Sequence, residues 1–278
     1  MNFCCSDIFG WGHWVGNEYR VCGSTIRSAG NEDFWEWMEH GGWEPGTLRF
    51  IRDAAKGSLV FIDVGAWIGP VSLFAASVGF KVYAFEPDSV AYGTIEENIS
   101  LNPLLATKIE LSNSAFGTQA GEALLHHASG FGDSQSSLLT PTGRASSGQP
   151  VKVLDGVAFL LSDAVPNNSV VKIDIEGGEY LILPKLRKVA RDKCLILMIS
   201  THPERTSPLF GRKSPDLIKR VFAMVFSLSR SLVLVPYYKD FEFWEDKHHS
   251  VERTRLDFPR FLWRIFGGRN CSFYLLPR

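Results

Sequence analysis

The sequence predicts an α/β fold in which a mostly parallel sheet carries helices on both faces. Three observations carry that expectation. From residue 58 onward, short apolar runs of strand length alternate with helix-like stretches, the pattern of βαβ units. Several of those runs end on a carboxylate beside glycine or proline, where parallel sheets bind ligands. A composition of 45% hydrophobic and 21% charged residues over 278 is that of a chain with a buried core, which excludes disorder and collagen-like repetition.

Residues 1–30 are rich in glycine and aromatics and show no clear period. Residues 31–56 read as helical, with Phe34, Trp35, Trp37 and Met38 before a break at Gly41-Gly42, then Leu48, Phe50 and Ile51 after Pro45. Ser58–Val64 is the first buried-strand run and Val71–Val78 the helix after it. Phe80–Phe85 is a second strand, followed by a helix to about Leu101, and Lys108–Leu111 is a third strand. Val170–Ile175 is the fourth, Gly178–Ala190 is helical despite Pro184, and Cys194–Ile199 is the fifth. Leu232–Val235 and Ser272–Leu276 read as closing strands. Right-handed crossovers then set all the strand C-terminal ends along one edge. Ser129–Pro150 holds 16 Gly, Ser, Thr, Pro or Gln among 22 residues and reads as a long loop, a candidate lid for the acceptor.

Charge and cysteine usage narrow the function classes. Lys plus Arg is 29 and Asp plus Glu is 30, so no global field draws the chain to nucleic acid. No run of 18 apolar residues marks a membrane span, and the N-terminus lacks a signal-peptide pattern. Five cysteines (Cys4, Cys5, Cys22, Cys194, Cys271) form neither an even framework nor zinc spacing, so a reduced, cytoplasmic protein is expected. Lys247–Arg269 carries six basic and two acidic residues, with Phe258, Leu262 and Ile265 on one helical face. That face is expected to pack on the sheet and leave its arginines in solvent.

Three motifs carry chemistry. In Phe61-Ile62-Asp63-Val64-Gly65-Ala66-Trp67-Ile68-Gly69 a strand runs into a carboxylate and two glycines before a helix. Glycine permits the tight turn and lets a ligand approach the backbone. The spacing differs from that of dinucleotide enzymes, and Trp67 stands where their second glycine would meet a pyrophosphate. Asp63 suits a cationic ligand such as an amino-acid ammonium. Glu86, in Tyr83-Ala84-Phe85-Glu86-Pro87, lies 21 residues after Gly65, where a ribose-binding carboxylate belongs. In Val171-Lys172-Ile173-Asp174-Ile175-Glu176-Gly177-Gly178-Glu179, Asp174 and Glu176 share a face by the strand period. Glu179 falls in the first turn of the next helix, where the dipole favours a carboxylate.

In this order and spacing the motifs resemble the FkbM family of S-adenosylmethionine-dependent methyltransferases, from about Trp43 to His202. Glu44-Pro45, Asn98 with Asn102, and Ser200-Thr201-His202-Pro203 are further similar pieces, although Ser200 replaces the family's usual Glu. The resemblance implies a Rossmann-like class I methyltransferase fold with seven strands, the last antiparallel. It also implies S-adenosyl-L-methionine as cofactor and O-methylation of a hydroxyl on a small molecule or glycan. Residues 1–56 would then be an N-terminal capping segment and 57–278 the methyltransferase domain.

Under that resemblance the cofactor-binding candidates are Asp63, Gly65, Gly69, Glu86 and Pro87, with Asn113 and Ser114 facing the purine. Methyl transfer to a hydroxyl also needs a base at the same edge. His202, Asp174 and Glu176 compete for that role, and an acid limb near pH 6–7 would mark a histidine of ordinary pKa. Asp174, Glu176 and Glu179 could supply a Mg²⁺ site, but nothing in the spacing requires one, and no metal is assigned. A nicotinamide-dependent dehydrogenase and a catalytically inactive cofactor-binding module are the alternatives.

Overall fold

The computed structural model describes residues 16–127, 130–139, 148–202, 232–246, 253–266 and 271–278. The chain opens on a hairpin of β1 (Asn17–Val21) and β2 (Ser24–Ser28). Its turn, Cys22-Gly23, has positive φ at both residues (47° and 84°), the left-handed pair that a two-residue hairpin turn requires. The stretch that shows no clear period in the sequence is a strand pair from Asn17 on. The alternation of buried Tyr19, Val21, Ile26 and Ser28 is only two inward residues per strand, too short to stand out in the sequence. Cys4 and Cys5 lie outside the described residues.

Two helices follow, α1 (Glu32–Glu39) and α2 (Pro45–Ala54), broken at Gly41-Gly42 as the sequence predicts. The α/β rhythm then runs β3 (Val60–Val64), α3 (Pro70–Ser77), β4 (Lys81–Phe85), α4 (Ser89–Ser100), α5 (Pro103–Ala106) and β5 (Ile109–Ser112). After an excursion it resumes with β9 (Val170–Ile173), α7 (Glu179–Asp192) and β10 (Ile196–Thr201). The excursion is a small separate sheet of β6 (Ala115–Gly117), β7 (Gly121–Leu125) and β8 (Gln149–Asp155), closed by α6 (Gly156–Leu161). The chain ends on β11 (Phe241–Asp246), β12 (Arg253–Arg255), a helix Phe258–Phe266 and β13 (Cys271–Pro277).

The main sheet has eight strands in the order β12-β11-β13-β10-β9-β3-β4-β5. β5, β4, β3, β9 and β10 are parallel, and β13 inserts antiparallel between β10 and β11. Six of the seven strand runs read from the sequence are present; β11 takes the place of the seventh, and an eighth strand, β12, pairs to it at the edge. Leu232–Val235 is a 3₁₀ helix, Leu232–Lys239, rather than a strand. Pro236 denies it a ladder donor, and Leu234 and Tyr237, three residues apart, share the buried side. The Tyr237 hydroxyl donates to the Leu183 carbonyl at 2.6 Å, fastening this turn to α7.

Alternation along the strands divides the core. Ile62, Val64, Val171 and Ile173 face α7 through Ile182, Leu183 and Leu186. Phe61, Val82, Val170 and Met198 face α2, α3 and the hairpin through Leu48, Ile51, Leu73 and Ile26. In the tail, Phe261 rather than the expected Phe258, which is exposed, is buried against Phe243 and Phe273 and packs that helix on the sheet. Its Arg264 is paired with Glu245 at 2.7 Å instead of standing in solvent. Residues 247–252 and 267–270 lie outside the described residues. Among the described residues no helix is long and apolar enough to cross a membrane.

Asn98 ties the hairpin to the ligand edge. Its side-chain oxygen accepts from Ser28 Oγ (2.9 Å) and the Ala29 N–H (3.0 Å), while its amide donates to the Ile68 carbonyl (3.0 Å). Asn102 repeats the device one turn on, bonding both backbone groups of Arg27. Asn98→Ala would strand three buried polar groups, and we expect a loss of roughly 2–4 kcal/mol in urea unfolding. A loss within about 0.5 kcal/mol, the range of an ordinary surface change, would remove the tie from the account.

Candidate active site

The candidate site lies where β3, β4 and β9 end. Gly65 turns the chain off β3 with φ +83°, and its N–H and that of Ala66 donate to the Phe85 carbonyl at 3.0 and 3.1 Å. A Cβ at this position would run into the Asp174 carbonyl oxygen, so only glycine lets the two strand ends approach. Trp67 also holds a left-handed φ of 50°, a costly conformation for a bulky residue. It is fixed there by its own N–H to Glu86 Oε2 (2.8 Å) and by its indole N–H to the Gly132 carbonyl (3.0 Å).

A buried cation organises this edge. Asp63 and Lys172 are register partners on β3 and β9, so both side chains leave the same face of the sheet. Lys172 Nζ lies 3.3 Å from Asp63, 3.7 Å from Asp174 and 3.2 Å from the Gly65 carbonyl. Burial works against its charge, but Asp63, Asp174 and Glu44 outweigh it and push the Lys172 pKa up. Asp63 is fully buried, also accepts from Ser72 Oγ at 2.7 Å, and lines neither cavity at the site. The ammonium it satisfies is the chain's own.

Glu86 caps the end of β4. Its two oxygens accept the N–H groups of Trp67 and Asp88, each at 2.8 Å, which leaves lone pairs for incoming hydroxyls. Burial, reinforced by Asp88 and Asp63, pushes its pKa up to about 7 against those hydrogen bonds. Around it lies a cavity lined by Phe85, Pro87, Phe116, Leu138, Ile175 and Ile182. Apart from Glu86, Asp133, Asp174 and Glu176 the lining is largely apolar, and such a slot could take a nucleoside, with the flat base against the side chains and the ribose hydroxyls on Glu86.

A second cavity shares Gly65, Trp67, Ser134, Asp174 and Glu176 with the first and adds Trp37, Trp43, Lys172, Thr201 and His202. His202 sits just past β10. Its Nδ1 and its backbone N–H both meet Glu179 Oε1, at 3.0 and 2.7 Å, and Glu179 Oε2 accepts the Gly177 N–H at 2.8 Å. Nε2 is therefore left facing Asp174 and Glu176, at 3.7 and 3.6 Å. Burial opposes the imidazolium, but Glu179, then Asp174 and Glu176, push its pKa up to about 9. Asp174, Glu176 and His202 bring one ligand atom each within 4.8 Å, a spacing a divalent ion could bridge.

The structure brings together Gly65, Glu86, Pro87, Asp174, Glu176 and His202, and leaves the other predicted residues one layer back. Gly69, φ +92°, packs the start of α3 against Ile95. Asn113 donates to the Glu86 carbonyl (2.9 Å), and Ser114 bonds Ser112 (2.9 Å). Ala115, Phe116 and Thr118, the next residues along, line the cavity in their place. β9 stops at Ile173, and Glu176 turns off with φ 51°, so a turn rather than the strand period sets it beside Asp174. Asp88 was not singled out by the sequence. One of its oxygens caps α4 at Val90 and Ala91, and the other accepts from Gly132 N–H (2.9 Å) and Ser136 Oγ (3.1 Å). It thereby holds residues 130–139 over the first cavity. Residues 140–147 of the long loop lie outside the described residues.

The model of the methyltransferase FkbM domain matches residues 63–223, more than half of the chain. The chain belongs to the FkbM methyltransferase family. A hexuronic acid methyltransferase, AglP, of Haloferax volcanii is 27% identical over 161 residues, which cover 57% of this chain and 62% of that one. The match thus spans under two thirds of the relative. Among solved structures, an FkbM methyltransferase from Methylobacillus flagellatus is 18% identical with a TM-score of 0.42, covering 78% of this chain and 43% of that one. The putative methyltransferase yhhF from Escherichia coli is 10% identical with a TM-score of 0.43, covering 94% and 99%.

Gly65→Ala tests the close approach. A left-handed alanine whose Cβ also displaces Asp174 is expected to cost at least about 2 kcal/mol in urea unfolding. Gly93→Ala, with open space around its Cβ in α4, is the control and should be neutral or stabilising by up to about 1 kcal/mol. Equal behaviour of the two variants would contradict the role of Gly65.

Proposed function

We propose that this FkbM-family chain transfers a methyl group from S-adenosylmethionine to a hydroxyl of a glycan or small molecule. The observation that carries the reading is the shared wall. The nucleoside cavity and the second cavity meet at Gly65, Trp67, Asp174 and Glu176, which is where donor and acceptor must touch. The name of the Haloferax volcanii relative, a hexuronic acid methyltransferase, supports an acceptor of the glycan type.

When bound, S-adenosylmethionine supplies an electrophilic methyl on a sulfonium, whose carbon–sulfur bond breaks with its electron pair going to sulfur. The acceptor hydroxyl forms the new carbon–oxygen bond and releases one proton. Phe85, Phe116 and Ile182 take the adenine face and Glu86 the ribose hydroxyls. Residues 130–139, held by Asp88 and Trp67, cover the nucleoside and keep water out. His202 Nε2 faces the junction and takes the hydroxyl proton, while Glu179 holds the ring and stabilises the imidazolium formed. Asp174 and Glu176 accept hydrogen bonds from the acceptor.

Two outcomes test this reading. Ribose hydroxyls donate to the ionised form of Glu86, so affinity for S-adenosylhomocysteine should fall as pH drops through about 7. By calorimetry, Glu86→Ala should bind roughly 10–100-fold more weakly, the equivalent of about 1.5–3 kcal/mol, and lose that pH dependence. NAD, titrated in parallel, should not bind. Tighter binding of NAD than of S-adenosylhomocysteine would overturn the assignment.

The second outcome concerns the base. With its pKa pushed up to about 9 by Glu179, Asp174 and Glu176, His202 is protonated at neutral pH and must lose that proton before it can accept another. The pH profile of kcat/KM should therefore rise from pH 7, reach half its plateau near pH 9 and level off about a unit or more above that, well above the limb of an ordinary histidine. His202→Ala should lose about 10²–10⁴-fold in turnover and the limb with it. Near-normal turnover in that variant would move the base to the Asp174–Glu176 pair.

A further inference from the structure

The residues where the two cavities meet include a ring that the scheme above uses only as a clasp. Both cavities are lined by Gly65, Trp67, Ser134, Asp174 and Glu176, and among the described residues Trp67 is the one aromatic side chain they share. Its indole spans the junction. On one side its N–H donates to the Gly132 carbonyl at 3.0 Å, in the segment whose Asp133, Ser134 and Ser136 line the first cavity. It also meets Phe34, which lines the second cavity, with ring centroids 4.8 Å apart and planes at 85°. In such an edge-to-face pair Phe34 covers at most one face of the indole. Among the described residues no Lys or Arg stands over the ring.

The backbone fixes the ring as firmly as its neighbours do. Trp67 holds a left-handed φ of 50°, and its N–H donates to Glu86 Oε2 at 2.8 Å. A bulky residue kept in that region costs the fold free energy, and such strain collects where a side chain must be aimed at a ligand. The carboxylate that anchors it is the one that receives the ribose. In S-adenosylmethionine the sulfur hangs from that same ribose, on the way to its methionine arm. An indole tied to Glu86 at one end and to Gly132 at the other therefore stands beside the place the sulfur must occupy. A ligand loses little order in meeting a surface already fixed.

We propose that the Trp67 indole is the platform for the sulfonium, a cation–π contact that favours the charged methyl donor over the neutral product. The proposal rests on the methyltransferase reading above and adds to it a residue that tells donor from product. The face of an indole is the negative side of its quadrupole and attracts a cation. On transfer the carbon–sulfur bond breaks, sulfur keeps the electron pair and becomes a neutral thioether, and the methyl passes to the acceptor oxygen, whose proton leaves to the base. The attraction ends with the charge. Donor and product carry the same adenosine, so Glu86 and the apolar wall hold both alike. Only a group beside the sulfur distinguishes them, and Trp67 is the aromatic one there.

The test is calorimetry on the full chain with S-adenosylmethionine and S-adenosylhomocysteine, first on the parent and then on Trp67→Leu and Trp67→Phe. The ratio of the two affinities isolates the charge, because loss of the indole bond to Gly132 weakens both ligands by the same factor. Trp67→Leu should move that ratio against S-adenosylmethionine by about 3–30-fold. Trp67→Phe, which keeps a ring and loses the N–H, should fall between the two. Trp67→Met serves if the leucine variant unfolds. A second reading needs no variant: the proton resonance of a labelled sulfonium methyl should move upfield on binding the parent, as it does over an aromatic face. An unshifted methyl resonance, or a leucine or methionine variant with an unchanged ratio, overturns the platform and leaves the methyltransferase reading standing. A parent that binds neither ligand overturns the methyltransferase reading, and the platform falls with it.

Discussion

A lysine in the middle of a buried strand must be given partners, and Lys172 sets the terms for the ligand edge. An isolated ammonium in the sheet interior would deprotonate or force the strand out, since burying an unpaired charge costs several kcal/mol. Three neighbours prevent this: the Asp63 carboxylate across the β3–β9 register, the Gly65 carbonyl one turn on, and Asp174 at the end of its own strand. Each of the three is thereby fixed. Gly65 shapes the loop toward Trp67 and Glu86, and Asp174 is the wall that both cavities share. The carboxylate that sequence logic offers to a ligand's ammonium is consumed inside the fold. Its use is to hold the groups that ligands would meet.

The second determinant is a chain of hydrogen bonds that joins separate elements into one binding surface. Glu86 receives Trp67 and Asp88, Asp88 receives Gly132 and Ser136, and Trp67 reaches Gly132 from the other side. Residues 130–139 of a polar loop are held because side chains at the sheet edge, Asp88 and Trp67, meet the Gly132 backbone and the Ser136 hydroxyl. The two cavities so formed differ in character. The first is lined largely by apolar side chains, with Glu86, Asp174 and Glu176 among them, and the second by four aromatic rings together with Glu44, Asp174 and Glu176.

Much of this was legible in the residues, for identifiable reasons. β3, β4, β9 and β10 are continuous apolar runs buried on both faces, so they stood out, and Glu86, Asp174, Glu176 and His202 follow strands that end at one edge. α7 kept its period through Pro184. The hairpin Asn17–Ser28 and the small sheet of β6, β7 and β8 escaped because they are short and half exposed, where polar residues break the alternation. Leu232–Val235 has strand composition but obeys Pro236. Asp63, Asn113 and Ser114 have the right types and spacings, yet their partners are the chain's own Lys172, Glu86 carbonyl and Ser112, which spacing does not reveal. The signal that could have found Lys172 was present: a lone basic residue within Val-Val-Lys-Ile, one strand over from a lone acid. For Trp37 the Gly41-Gly42 break was that signal, since Gly42 is where its indole approaches the backbone.

The most direct test of the account is a double-mutant cycle between Asp63 and Lys172, read in urea unfolding and in calorimetric affinity for S-adenosylhomocysteine. Lys172→Met alone should cost about 3–5 kcal/mol, because the fully buried Asp63 carboxyl loses its partner. It should also weaken the nucleoside, because Gly65 and Asp174 lose their common anchor. Adding Asp63→Leu should recover most of the stability, with a coupling of roughly 1–3 kcal/mol, but should not restore the affinity. A Lys172→Met protein that unfolds and binds like the parent would contradict the claim that this buried ammonium holds the ligand edge together.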